Sequence, residues 1–136
     1  MLELMVGLKG SGKTKTLIEK ANEAVETTNG SVAVIEYGKK LINAVSNRAR
    51  LVETEEYLVN NTESLYGFTV GMYASNYDIT HIFIDSALKI CGEDVEGFVT
   101  LIKKLDAFAT SQNINIFVTS SIEEDKLPEE LKAYIK

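Results

Sequence analysis

The chain has 136 residues, of which 45% are apolar and 25% charged, and it carries a formal net charge of −6. That length gives one domain, spanning 1–136, with an ordinary core that needs no staples. The acidic balance argues against a surface that coats nucleic acid; the lone cysteine excludes an internal disulfide and fits a reducing cytoplasm; and no apolar run reaches the roughly 18 residues of a membrane span.

Leu2-Glu3-Leu4-Met5-Val6 reads as a short buried strand, so the N-terminus is already core and no basic-then-apolar leader precedes it. Residues 7–14 read Gly-Leu-Lys-Gly-Ser-Gly-Lys-Thr, a full match to G-x-x-x-x-G-K-[ST]. From Thr14 to about Val25 the apolar residues Leu17, Ile18, Ala21, Ala24 and Val25 form one stripe, a helix that Asn29-Gly30 ends. Strand, glycine loop and helix are the context this motif requires. Backbone N–H groups of such a loop converge on closely spaced phosphate oxygens. Gly7, Gly10 and Gly12 allow the close approach, and the start of the helix adds its dipole and unpaired N–H groups. The candidate nucleotide-binding residues are therefore Gly7, Leu8, Lys9, Gly10, Ser11, Gly12, Lys13, Thr14 and Lys15. Lys13 is placed to reach the β- and γ-phosphates, and the Thr14 hydroxyl to ligate Mg²⁺.

Val32-Ala33-Val34-Ile35 is the continuous apolar run of a strand buried on both faces. Glu36 ends it and is the candidate for orienting an attacking water, so Lys13 and Glu36 are the candidate catalytic residues. Lys39 to about Ala44 reads as a short helix, Arg50-Leu51-Val52 as an edge strand, and Thr54 to Val59 as a short helix capped by Thr54. Thr62-Glu63-Ser64 leads into a helix with Leu65, Phe68, Thr69, Met72 and Tyr73 at helical spacing, on which Gly67 and Gly71 point to close packing in preference to a weak point. Ile82-Phe83-Ile84 is a third buried strand, and Asp85 at its tip is the second candidate Mg²⁺ ligand, acting through water. Val95 to Ala109 is the longest helix, with Phe98, Ile102, Leu105 and Ala109 facing the core. Ile114 to Val118 is a further strand; Thr119 or Ser120 at its end is positioned to sense the γ-phosphate, and Ser120 joins the candidate binding residues. Pro128-Glu129-Glu130 opens a short terminal helix. Cys91 reads as a small buried hydrophobe and His81 as structural. Arg48 and Arg50, the only arginines, read as a solvated basic face, or else as a finger acting on a neighbouring subunit. This alternation predicts a three-layer α/β/α domain with a mainly parallel central sheet of about five strands.

These motifs resemble the P-loop NTPases. Met5 to Ala21 is similar to the loop of the signal-recognition-particle GTPases. Asp85-Ser86-Ala87-Leu88, however, lacks that family's switch glycine, and Thr119-Ser120-Ser121-Ile122 lacks the lysine and aspartate that read guanine. Most of the chain resembles the RecA-like ATPases instead, through the loop Gly7–Thr14, the strand Val32–Glu36, the strand Ile82–Ser86, the helix Val95–Ala109 and the strand Ile114–Ser120. That resemblance implies binding of ATP (or ADP) with Mg²⁺, and hydrolysis completed by self-association or a protein partner. The chain has no room for DNA-binding loops. Two alternatives stand beside the ATPase. One is a non-hydrolysing regulator or adaptor, since Ser86 occupies the place where many P-loop ATPases carry a glutamate. The other is a small-molecule kinase, whose arginine-rich lid two arginines are too few to build.

Overall fold

Buried apolar runs want sheet neighbours on both sides, and amphipathic stripes want a sheet to lie on. Both demands are met in the computed structural model, which describes residues 1–136. Five strands, β1 (Leu2–Gly7), β2 (Ser31–Glu36), β3 (Arg50–Glu53), β4 (Ile79–Ile84) and β5 (Asn115–Ser121), form one sheet in the order β1-β5-β4-β2-β3. Every pairing in it is parallel. The helices are α1 (Lys13–Thr27), α2 (Thr62–Ser75), the single turn α3 (Ala87–Ile90) and α4 (Val95–Gln112).

Side chains alternate across the strands, so each strand feeds two cores. Leu17, Ala21 and Ala24 of α1 pack on Val32, Val34, Phe83 and Phe117. Leu65 of α2 and Phe98, Ile102 and Leu105 of α4 pack on the other face, against Ile35, Ile82, Ile84, Ile116 and Val118. The result is three layers. The chain crosses α1's face while it moves from β1 toward β3, then returns toward β5 over the opposite face. Switching face together with direction keeps all crossovers of one hand. It also opens a crevice at the carboxyl ends of the strands, between the exit of β1 to one face and the exit of β4 to the other, where open α/β sheets place ligands.

Several local expectations are corrected. Residues 39–44 are not a helix. The Glu36 carboxylate draws the amides of Lys40 and Leu41 onto itself, at 2.9 and 3.2 Å, leaving only a turn in which Ala44 and Val45 both bond to Leu41 O. Residues 54–57 form a 3₁₀ turn capped by Glu53, which accepts from Glu56 N at 2.9 Å, while the Thr54 hydroxyl is buried without a partner. Gly67 and Gly71 are exposed, and nothing lies within 4 Å of where their Cβ atoms would stand, so they serve no close packing. The expected short terminal helix is present as 3₁₀ over Glu129–Tyr134, with Pro128 at its N-cap instead of its first helical position. Cys91 is buried, its thiol pushed up to about 12 by burial and by Asp94, as fits an inert small hydrophobe. His81, held below its ordinary value by burial, shares a 2.8 Å hydrogen bond with the Thr80 hydroxyl.

Candidate functional site

Lys13 begins α1 directly after the glycine loop, and three features mark that loop. Gly10 and Gly12 adopt φ of 89° and 90°, in the left-handed region where a side chain is strained. Leu8, Lys9, Gly10, Ser11 and Gly12 are all exposed. The N-terminus of α1 has no side-chain cap and no acid in its first turn, whereas α2 carries a capping box from Asn61 and Ser64 and α4 is capped by Asp94. The uncapped amides of a fifteen-residue helix therefore face a solvent-open loop.

Lys13 itself is buried, and its Nζ donates to Leu8 O at 3.0 Å and to Ser11 Oγ at 3.3 Å. Burial pulls its pKa below the ordinary lysine value, and the Asp85 carboxylate pulls the other way. An anion at the loop would favour the charged form and satisfy the third ammonium proton.

Asp85 follows β4 at the sheet's carboxyl edge, one per cent exposed. It accepts from Thr119 Oγ1 at 2.7 Å and from Thr14 Oγ1 at 3.3 Å, with its second oxygen 3.4 Å from Thr14. Ser86 N donates to Thr119 Oγ1 at 2.9 Å, which fixes that hydroxyl's direction. Register decides which hydroxyl of β5 takes part. Thr119 pairs with Met5 and shares the face of Asp85, whereas Ser120 turns to the other face, fully buried, and accepts from Leu88 N at 3.2 Å. Of the two candidates, Thr119 stands at the site, and Ser120 secures α3.

Glu36 ends β2, with β5 and β4 lying between it and the loop-bearing β1, and one oxygen of its carboxylate, Oε1, accepts from Lys40 N and Leu41 N. Burial raises its pKa; the two amides lower it, and Asp85 and Glu53 raise it further. Glu53 faces Glu36 in register, and its Oε1 accepts from Gly38 N at 3.2 Å. Sequence reasoning passes over Glu53, although it ends a strand in an acid as Glu36 does. The two arginines are brought to the opposite end of the sheet. Arg48 pairs with Glu26, which lies about 20 Å along α1 from Lys13, and Arg50 opens β3 opposite Ala33. Neither reaches the loop of its own chain. Lys15 is exposed on the first turn of α1.

Mg²⁺ takes oxygen donors at roughly 2.0–2.1 Å in octahedral geometry, which sets neighbouring ligand oxygens about 3 Å apart. The Thr14 and Asp85 oxygens, 3.3 Å apart, fit two neighbouring positions in such a shell, directly or through water. No group of three or more His, Cys, Asp or Glu side chains converges to hold a metal alone, so most of the shell would come from phosphate and water. No protein-family model matches the chain, and no curated protein matches it. No helix is long and apolar enough to cross a membrane.

Proposed function

We propose that the chain is a P-loop protein of RecA-like type that binds ATP with Mg²⁺ at Gly7–Thr14 and hydrolyses it slowly, a partner or second copy being needed for full turnover. The observation that carries this reading is the uncapped start of α1 behind an exposed glycine loop, with Thr14 set 3.3 Å from Asp85 at its foot. Backbone amides of Gly10 to Thr14 would hold the phosphates with the Lys13 ammonium, and Thr14 and Asp85 would hold the metal. Bound Mg²⁺ supplies charge neutralisation at the phosphates. Thr119 orients Asp85, and Glu36 is the residue nearest in kind to a water-positioning base.

A second reading, tight binding without hydrolysis, is favoured by one fact: two amides hold Oε1 of Glu36 in place, leaving only Oε2 to meet a water. The experiment that separates them is titration of ATP and GTP with Mg²⁺ into the protein and into Lys13→Ala, with phosphate release followed in parallel. Lys13→Ala is expected to lose at least about 100-fold in affinity, some 2.7 kcal/mol. Near-normal affinity in that variant would sink the assignment. Glu36→Gln is expected to bind ATP and lose turnover. Binding without release in the unaltered protein supports the second reading, and release only with an added acceptor supports a kinase.

A further inference from the structure

On the far side of the loop from α1, a second cleft of about 200 Å³ opens between the phosphate loop and α3, lined by Lys9, Ser86, Leu88, Lys89, Glu93 and Ser121. We propose that this cleft binds a second small anion, a phosphate-bearing molecule, through the ammonium groups of Lys9 and Lys89 and the hydroxyls of Ser86 and Ser121. That its occupant would lie beside a nucleotide rests on the reading of the loop given above; that the cleft takes an anion does not.

The two ammonium groups are the first reason. The chain has 20 acidic residues against 14 basic ones, yet neither Lys9 nor Lys89 takes part in any of the four ion pairs. Glu93, the one acid in the cleft, pairs with neither. The Lys89 ammonium lies over the ring of Tyr37, 5.0 Å from Nζ to the ring centre, and an anion must draw it from there or share it with the ring.

Backbone geometry is the second. Only four non-glycine residues have positive φ, and two of them, Ser86 at 59° and Glu93 at 64°, line this cleft. Each is held there by a hydrogen bond, Ser86 N to Thr119 Oγ1 and Glu93 N to Leu88 O, both 2.9 Å. Strained backbone that the surroundings enforce gathers at ligand sites. Here the left-handed turn at Ser86 leads from Asp85 into α3, which carries Lys89 to the cleft that Lys9 also lines.

Chemistry selects the class. Two ammonium groups and the Ser121 hydroxyl, with the Ser86 hydroxyl held only by a long 3.5 Å bond to Asp85 Oδ2, supply more donors than a carboxylate's two oxygens use, and they match the oxygens of a phosphate. The volume, below the roughly 300 Å³ of a drug-sized pocket, limits the rest of the molecule to a small skeleton.

The test is amide NMR on the full chain, with inorganic phosphate titrated in the absence and presence of saturating ADP·Mg²⁺ and acetate as the contrasting anion. Saturable shifts are expected at Ser86, Lys89 and Ser121, persisting with ADP present. Lys89→Gln, at an exposed position, should raise the phosphate midpoint at least fivefold and leave the ADP midpoint within twofold. The proposal is overturned by absence of saturable shifts at those three amides, by phosphate shifts confined to Gly10–Thr14, by an unchanged midpoint in Lys89→Gln, or by acetate titrating the cleft as well as phosphate does. Failure of ADP to bind would overturn the nucleotide reading alone, because the cleft is also titrated without ADP.

Discussion

At the scale of single residues, Glu36 shows how burial and hydrogen bonding compete for one carboxyl. Burial favours the neutral acid, and the Lys40 and Leu41 amides favour the anion; burial dominates, so its pKa stands above the ordinary glutamate value. The folded chain therefore keeps this proton to a higher pH than the unfolded chain does. The stability this confers is fully present below the unfolded pKa and is lost as pH rises through the raised one. Glu36→Gln keeps an acceptor for both amides and cannot ionise. Compared with the unaltered protein in urea unfolding, the variant should gain in relative stability as pH rises from the unfolded glutamate value through the raised folded one. A difference that does not move with pH would show that the carboxylate carries its charge at no penalty. Thr119 and Ser120 make a related point. Adjacent hydroxyls look alike in a sequence, and only the pairing of β5 with β1 settles which one meets Asp85.

Elements were legible where their burial pattern was local. The strands announced themselves as apolar runs, and α1 and α4 as stripes, because a sheet covered on both faces leaves no other residues for those places. What stayed hidden depended on partners distant in sequence. The turn over 39–44 exists because Glu36, fixed by its neighbours in the sheet, captures two amides ahead of it. The four-residue α3 has no periodicity to read, and it follows a serine in the left-handed region. Of the candidate site, the loop and Asp85 could be read from the chain; Thr119's role and the cleft beside Lys89 could not. Gly67 and Gly71 illustrate the opposite error, a packing role assigned to residues that face solvent. Alanine at each should therefore add helix propensity without a clash, at about 0.8–1.0 kcal/mol per site. The double variant Gly67→Ala/Gly71→Ala is expected to raise the urea midpoint with an unchanged m-value. A lowered midpoint would mean that α2 needs the freedom these glycines give it.

Across the whole molecule, one sheet joins two cores, so neither can be lost alone. Phe83 and Phe117 belong to one core, while Ile82, Ile84, Ile116 and Val118 on the same two strands belong to the other. Leu17→Ala on one face and Leu105→Ala on the other, both fully buried, should each cost about 2–5 kcal/mol. Both should unfold in a single transition that far-ultraviolet circular dichroism and tyrosine fluorescence report alike. Separate transitions in either variant would show that the faces are independent.

The strand bearing the glycine loop, β1, lies at the rim of the sheet with one full neighbour, β5; on its other side Ile135 touches Leu4 in a lone parallel bridge. A rim strand is the least anchored support a sheet has, and its outward main-chain groups stay largely open to pairing. Leu4 is only three positions before Gly7, so whatever docks along this margin, or lifts the C-terminal tail from it, acts on the strand that leads directly into the glycine loop. If the loop holds phosphate as proposed, that margin is a mechanical handle on it, reached from outside without entering the crevice.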